Sequence, residues 1–470
     1  MMAVFAAALA GCQRFQPAPV SAVDRAARLE LRNLTDPGLK DFLEKSTGRE
    51  FSQWPIRTWD FDTLTLAAFY FHPTLDLARA QWSVAKAAII TAGGRPNPSI
   101  TLAPEYSFNP PGGASPWLPM ASFAVPIETA GKRGYRIARA QELSEAARLN
   151  IATAAWQVRS RLRTTLIERT AAQQRENVLR QQLSLQQRIV AQLENRVSAG
   201  TISSFEATTA RINLARAQAD LEDLRTRSAE ATARVAEAIG VPAAALNDIA
   251  VEFNPRAPAP EQLASVDVRR QALHSRPDVL ASLAEYAASQ SALQLEIAKQ
   301  YPDVQLGSGY QWDQGEHKWS LSLTMDLPVL NRNQGPIAEA KAKRTEAAAR
   351  FDAMQAKALA EIDLASAGFH GAQTNIAILE ALLAQQQRQR AAIEAQFKAG
   401  AADQLELLNA EAELATAELL RTDAQTKVAI AAGQLEDAIQ RPFDALSFVE
   451  ENPRMLTDAN QQKNAEEKNR

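Results

Sequence analysis

Lys318-Trp319-Ser320-Leu321-Ser322-Leu323-Thr324-Met325-Asp326-Leu327 alternates without a break. Trp319, Leu321, Leu323, Met325 and Leu327 fall on one side of an extended chain, and Lys318, Ser320, Ser322, Thr324 and Asp326 on the other. About ten residues is the length of a tilted strand that crosses a bilayer. Working outward, Asp-Gln-Gly-Glu (313–316) reads as a turn, and Val304–Trp312 as the strand before it. Some 200 residues upstream the same pattern occurs around Pro-Pro-Gly-Gly (110–113). There Ile100, Leu102, Tyr106 and Phe108 oppose Ser99, Thr101, Glu105 and Ser107, and Ser115–Ile127 makes a fourth strand. Trp117, Trp312 and Trp319 lie near the two turns, where an interfacial aromatic girdle sits.

The recurrence extends along the chain. Pro73 and Pro277 are 204 residues apart, as are Pro98 and Pro302; Pro126 and Pro328 are 202 apart; Gly200 and Gly400, and Pro242 and Pro442, are 200 apart. Five landmarks in the same order describe a tandem duplication. Within each copy the period changes to that of a helix. The 65 residues between Gly134 and Gly200 include neither Gly nor Pro. As one helix they would reach roughly 100 Å. Ile151, Ala155, Val158, Leu162, Leu166, Val190, Leu193 and Val197 form a narrow seam suited to coiled-coil packing. Residues 201–239 are a second Gly- and Pro-free stretch, so Ser198-Ala199-Gly200-Thr201 is the tip of a helical hairpin. Lys398-Ala399-Gly400-Ala401 repeats it, with Gly368 and Gly371 as points where the preceding helix can bend. Four strands cannot close a barrel, and an open edge is a liability. A soluble sheet capping a helical bundle keeps that liability, whereas three copies would give a closed barrel of about 12 strands.

Composition narrows the function. Lys+Arg 51 against Asp+Glu 54 leaves a net charge of −3, which excludes a dedicated nucleic-acid binder. One cysteine, Cys12, permits neither an internal disulfide nor a thiolate metal cage. His72, His274, His317 and His370 have no ligand spacing. No catalytic set, phosphate-binding loop, cofactor motif or metal cluster is expected. No segment offers roughly 18 unbroken apolar residues, so any membrane crossing must use strands.

Val4–Ala10 is a short apolar run, and Leu9-Ala10-Gly11-Cys12 resembles a bacterial lipobox. That resemblance implies a signal peptide over 1–11, lipid on Cys12, and outer-membrane sorting, since Gln13 is not the aspartate associated with inner-membrane retention. The basic residues usual before such a run are missing, and a chance apolar start with a free cysteine is the alternative.

The repeat, the strands and the hairpins together resemble the TolC-type outer-membrane factor family. Leu193-Glu194-Asn195-Arg196-Val197-Ser198-Ala199-Gly200-Thr201-Ile202-Ser203 resembles its first hairpin tip. Asp326-Leu327-Pro328-Val329-Leu330-Asn331-Arg332-Asn333-Gln334-Gly335 resembles its strand-to-helix passage, and Ser275-Arg276-Pro277-Asp278-Val279 its second-repeat opening. The resemblance implies a membrane α+β fold: a homotrimeric 12-stranded β-barrel in outer-membrane lipid, continued by a long periplasmic α-helical barrel. In these terms 12–71 is an N-terminal tether and equatorial segment, and 72–242 is repeat 1, with strands about 98–110 and 115–128. The equatorial linker is 243–275, and repeat 2 is 276–442, with strands about 303–313 and 317–329. Residues 443–470 complete the equatorial region and tail.

The implied partners are a periplasmic adaptor and an inner-membrane pump, and the implied task is efflux of small molecules or metal ions. Protein secretion is the second reading, and a pore-free periplasmic coiled-coil scaffold the third. In the family, carboxylates six and nine residues past the second tip glycine narrow the lumen. Here those positions are Glu406 and Asn409, with Asp403 nearby; an ordinary solvated helix charge is the alternative for Glu406. Adaptor contacts are expected at Arg196, Val197, Ala199, Gly200, Thr201 and Ile202, and at Phe397, Ala399, Gly400 and Ala401.

Overall fold

The computed structural model describes residues 14–110, 112–247, 249–254 and 266–441. Cys12, the expected signal peptide and the expected C-terminal segment 443–470 lie outside these residues. The chain begins with α1 (Ala22–Glu30), α2 (Pro37–Thr47), β1 (Thr58–Trp59), α3 (Phe61–Phe71) and α4 (Pro73–Gly93). Strands β2 (Ser99–Leu102), β3 (Glu105–Tyr106), β4 (Trp117–Leu118) and β5 (Met120–Ile127) follow, then the long hairpin of α5 (Lys132–Ser198) and α6 (Ser204–Ile239). After β6 (Ala250–Val251), the second half runs through α7 (Val266–Ser275), α8 (Pro277–Ala298), β7 (Val304–Asp313), β8 (Glu316–Met325), α9 (Gln334–Lys398) and α10 (Gln404–Ile439).

Helix α5 has 67 residues and α9 has 65, each roughly 100 Å long at 1.5 Å per residue. Helix α9 runs unbroken through Gly368 and Gly371. The seam is buried as a helical period requires: Ile151, Ala155, Val158, Leu162 and Leu166 pack with the end of α6 at Val235, Ala236 and Ile239. Around this point α2, α3 and the start of α4 add Leu39, Leu43, Leu64, Phe69 and Leu75, and β1 adds Trp59. This is the largest apolar core, and β1 pairs with β6 in parallel beside it. Its counterpart in the second half is smaller, built from Ala272, Ile362, Phe369, Leu435 and Ile439.

Strands β2, β5, β7 and β8 form one antiparallel sheet in the order β2-β5-β7-β8, so both halves contribute and β2 and β8 are its edges. The first hairpin is interrupted where the sequence suggested continuous strands. Pro104 separates β2 from β3, and Pro119 separates β4 from β5, because proline cannot donate to the ladder. Ala103 N still donates to Met120 O at 3.0 Å, so the hairpin stays paired across the interruption.

Candidate functional site

The sheet has two unlike faces. The register sets Trp319, Leu321, Leu323 and Met325 of β8 opposite Tyr310, Ser308, Leu306 and Val304 of β7. It continues to Ala121, Phe123, Val125 and Ile127 of β5, and to Ile100 and Leu102 of β2. Side chains alternate along every strand, so these residues share one face. That face is open: Leu321 is 80% exposed, Trp319 79%, Ile100 69% and Leu102 67%. The opposite face carries Ser99, Thr101, Ser122, Gln305, Gly307, Gly309, Gln311, Lys318, Ser320, Ser322 and Thr324. A contiguous apolar face of this size is not left to water. No described helix is long and apolar enough to cross a membrane.

Aromatic rings gather at the turn ends. Tyr106 lies 5.0 Å from Trp117 and 5.3 Å from Phe108, and Tyr310 lies 5.0 Å from Trp319 and hydrogen-bonds His317 at 2.6 Å. One end of each ring is apolar and the other can meet water, the property that places such residues at a bilayer surface.

At the far end of the molecule the two hairpin tips are built alike. Gly200 has φ +71° and Gly400 has φ +74°. Thr201 N donates to Arg196 O at 3.0 Å, and Ala401 N to Gln396 O at 2.8 Å, the closing bond of a left-handed helix cap. Ala199, Gly200, Thr201, Phe397, Ala399, Gly400 and Ala401 are exposed, while Arg196, Val197 and Ile202 are half-buried.

The expected constriction residues have local work at the second tip. Asp403 caps α10 by accepting from Glu406 N at 2.9 Å, and Glu406 accepts from Asp403 N at 3.1 Å, a reciprocal capping box. The other carboxylate oxygen of Asp403 takes Arg196 of the first tip at 2.8 Å, and that hydrogen bond holds the Asp403 carboxyl below the usual aspartate range. Asn409 is exposed.

Arg196–Asp403 is the end of a seam between α5 and α10 that sequence reading passed over. Arg188 meets Glu411 at 3.0 Å, and Arg175 meets Asp423 at 2.5 Å. Arg163 meets Glu436 at 2.6 Å and Asp437 at 2.5 Å, and Arg159 meets Glu436 at 2.5 Å. The signal was present as unequal charge. Helix α5 has 13 basic and 5 acidic residues, and α10 has 7 acidic and 2 basic. The outer rungs are solvent-washed, but Arg159, Arg163 and Glu436 are buried, and Arg159 also lies over the rings of Phe61 at 4.9 Å and Trp156 at 5.2 Å. Arg276 is buried beside this cluster and donates to Ala438 O at 2.7 Å. Burial opposes its charge, yet bonds to Asp278 and Glu361 outweigh that and raise its pKa.

Residues 71–241 and 268–439 each match the outer membrane efflux protein family, and together they make up most of the chain. The chain belongs to this family. Outer membrane efflux proteins are channel proteins rather than enzymes, and the two matched spans are the two halves of the duplication. The cobalt-zinc-cadmium resistance protein CzcC of Cupriavidus metallidurans is 29% identical over 228 residues, which is 46% of this chain and 51% of that protein. The match thus spans about half the length of that curated relative. The structure of the outer membrane protein VceC from Vibrio cholerae superposes with a TM-score of 0.67 at 18% identity, covering 82% of this chain and 97% of that one. The Campylobacter jejuni CmeC outer membrane channel gives a TM-score of 0.66 at 14% identity, covering 94% and 98%. The fold of this efflux-family chain is therefore that of the VceC and CmeC outer-membrane proteins, a TolC-like fold.

Proposed function

We propose that three copies of this chain close a shared barrel and helical tunnel, and that the tunnel is the outer-membrane channel of a tripartite efflux system. The observation that carries this reading is the two-faced sheet with both edges unpaired. Pairing β2 of one copy with β8 of the next removes the open edges, places the apolar face in lipid and leaves the small polar face around water. A periplasmic adaptor docks at the tips, on Arg196, Val197, Ala199, Gly200, Thr201 and Ile202 and on Phe397, Ala399, Gly400 and Ala401. The small residues among them, Ala199, Gly200, Ala399, Gly400 and Ala401, allow close helix approach. An inner-membrane pump supplies the energy, and Cys12 carries lipid. Likeness to a protein named for cobalt, zinc and cadmium resistance favours metal cations as cargo. Glu406, with Asp403 beside it and Asn409 one turn on, rings the periplasmic entrance, where three copies of a carboxylate attract cations.

The test is conductance across planar bilayers with the purified full chain, together with its mass in detergent. A trimer with cation-preferring pores is expected, and Glu406→Ala raises conductance and weakens the preference. A monomer without conductance overturns the channel reading. A conducting trimer unchanged by Glu406→Ala removes Glu406 from the pore.

A further inference from the structure

The apolar face of the sheet does not stop where β8 ends. Leu327 is 72% exposed, Val329 72% and Leu330 98%, in the passage between β8 and α9. This passage is held at both ends. Val329 N donates to Leu327 O at 2.8 Å, and Asn333, at φ +62°, anchors the far end by donating to Glu296 O at 2.7 Å and to its carboxylate at 3.0 Å. Three large aliphatic side chains are thus presented outward at the level where strands give way to helices. Next to them stands Arg332, exposed and without an ion-pair partner among the described residues. At the opposite edge of the sheet, Arg95 precedes β2 in the same condition.

When copies close edge to edge, β8 of one meets β2 of the next, so Arg332 and the neighbouring copy's Arg95 reach the same end of one seam. Two guanidinium groups there repel unless an anion lies between them, and phosphate suits the guanidinium fork. Leu327 continues the alternation of β8 on its apolar face, the face that edge pairing leaves open, and Val329 and Leu330 follow it exposed. We propose that this passage is a membrane-interface anchor. Its aliphatic residues enter the acyl boundary of the periplasm-facing leaflet, and Arg332, with Arg95 of the next copy, binds the phosphate of an anionic phospholipid headgroup. This rests on the proposed closure of the sheet in the membrane.

The test places a nitroxide label at Leu330→Cys, Leu321→Cys or Glu346→Cys in the full chain, with the unmutated chain as labelling background. Each is reconstituted in phosphatidylglycerol or phosphatidylcholine vesicles, and collisions with oxygen and with a water-soluble nickel chelate are measured. The label at 321 meets oxygen and not nickel, and the label at 346 meets nickel. The label at 330 is expected between them, with nickel collisions lower in phosphatidylglycerol than in phosphatidylcholine and that difference lost in Arg332→Gln. A label at 330 as nickel-accessible as at 346, or shielded from both reagents by a neighbouring copy, overturns the anchor. Equal depth in the two lipids, or a difference that survives Arg332→Gln, does so too. Nickel access at 321 overturns the membrane placement of the sheet itself, and the anchor with it.

Discussion

Replacing Glu436 with alanine strands one buried cation, Arg159, and takes from a second, Arg163, one of its two carboxylates. The side chains of Arg159 and Glu436 are 7% and 9% exposed, and those of Arg163 and Glu436 are 8% and 9% exposed, so solvent offers little compensation. Arg163 would keep Asp437 and Gly433 O, but Arg159 would retain only the rings of Phe61 and Trp156. Removing one partner of a buried pair costs about 3–5 kcal/mol. The expected loss per copy lies in that range, because Arg159 has no other carboxylate among the described residues. Glu339→Ala is the control: its pair with Lys343 is 65% and 67% exposed, and such pairs contribute about 0–1 kcal/mol. Thermal unfolding should be followed by the helical signal at fixed protein concentration, since assembly makes the midpoint concentration-dependent. Changing Arg159 and Glu436 together to leucine should recover part of the loss, because no charge is then left unpaired at position 159. A Glu436→Ala loss no larger than that of the control would refute the view that this cluster ties the two repeats together.

Leu321→Arg should destabilise the reconstituted channel by roughly 2–4 kcal/mol per copy, as for a cation on the lipid face near the midplane, while Ser320→Arg on the other face should be nearly neutral to stability and lower conductance; refolding titrations into vesicles compare them. Gly240→Ala should cost about 1–3 kcal/mol, because φ is +89° and an added Cβ would lie 3.0 Å from Phe71 O; thermal unfolding reads it. The Arg196–Asp403 tie follows pH. Asp403 is depressed in the folded tip, so its stabilisation is complete above the ordinary value of 3.8 and is lost as pH falls through the depressed value. Spin-label distances between the ends of α5 and α10 should lengthen only on that acid side, and Asp403→Asn should lengthen them at neutral pH.

The second β-hairpin and both helical tips were legible because one rule dominates each. Strict alternation over 318–327 admits a single register, and a glycine between two long Gly-free stretches admits a single turn. The first β-hairpin was less legible, since alternation continues past Pro104 and Pro119 although the ladder does not. The seam between α5 and α10 was harder still. Arg175, Arg188 and Arg196 find partners more than 200 residues away, and helical periodicity says which residues share a face but not which helix that face meets. Asp403 and Glu406 stand in the sequence as carboxylates near a tip. Their capping box was readable from Asp403 followed by Glu406 three residues later, a pattern that serves the helix whether or not a pore is present.

The most direct test of the two-faced sheet in a closed barrel is a cysteine scan of residues 318–325 in the reconstituted channel. Each position is challenged with a membrane-impermeant thiol reagent and with a lipid-soluble one. Strict alternation is expected: 318, 320, 322 and 324 react from water through the lumen, and 319, 321, 323 and 325 react only from lipid. Water reactivity on both faces, or none on either, would contradict it.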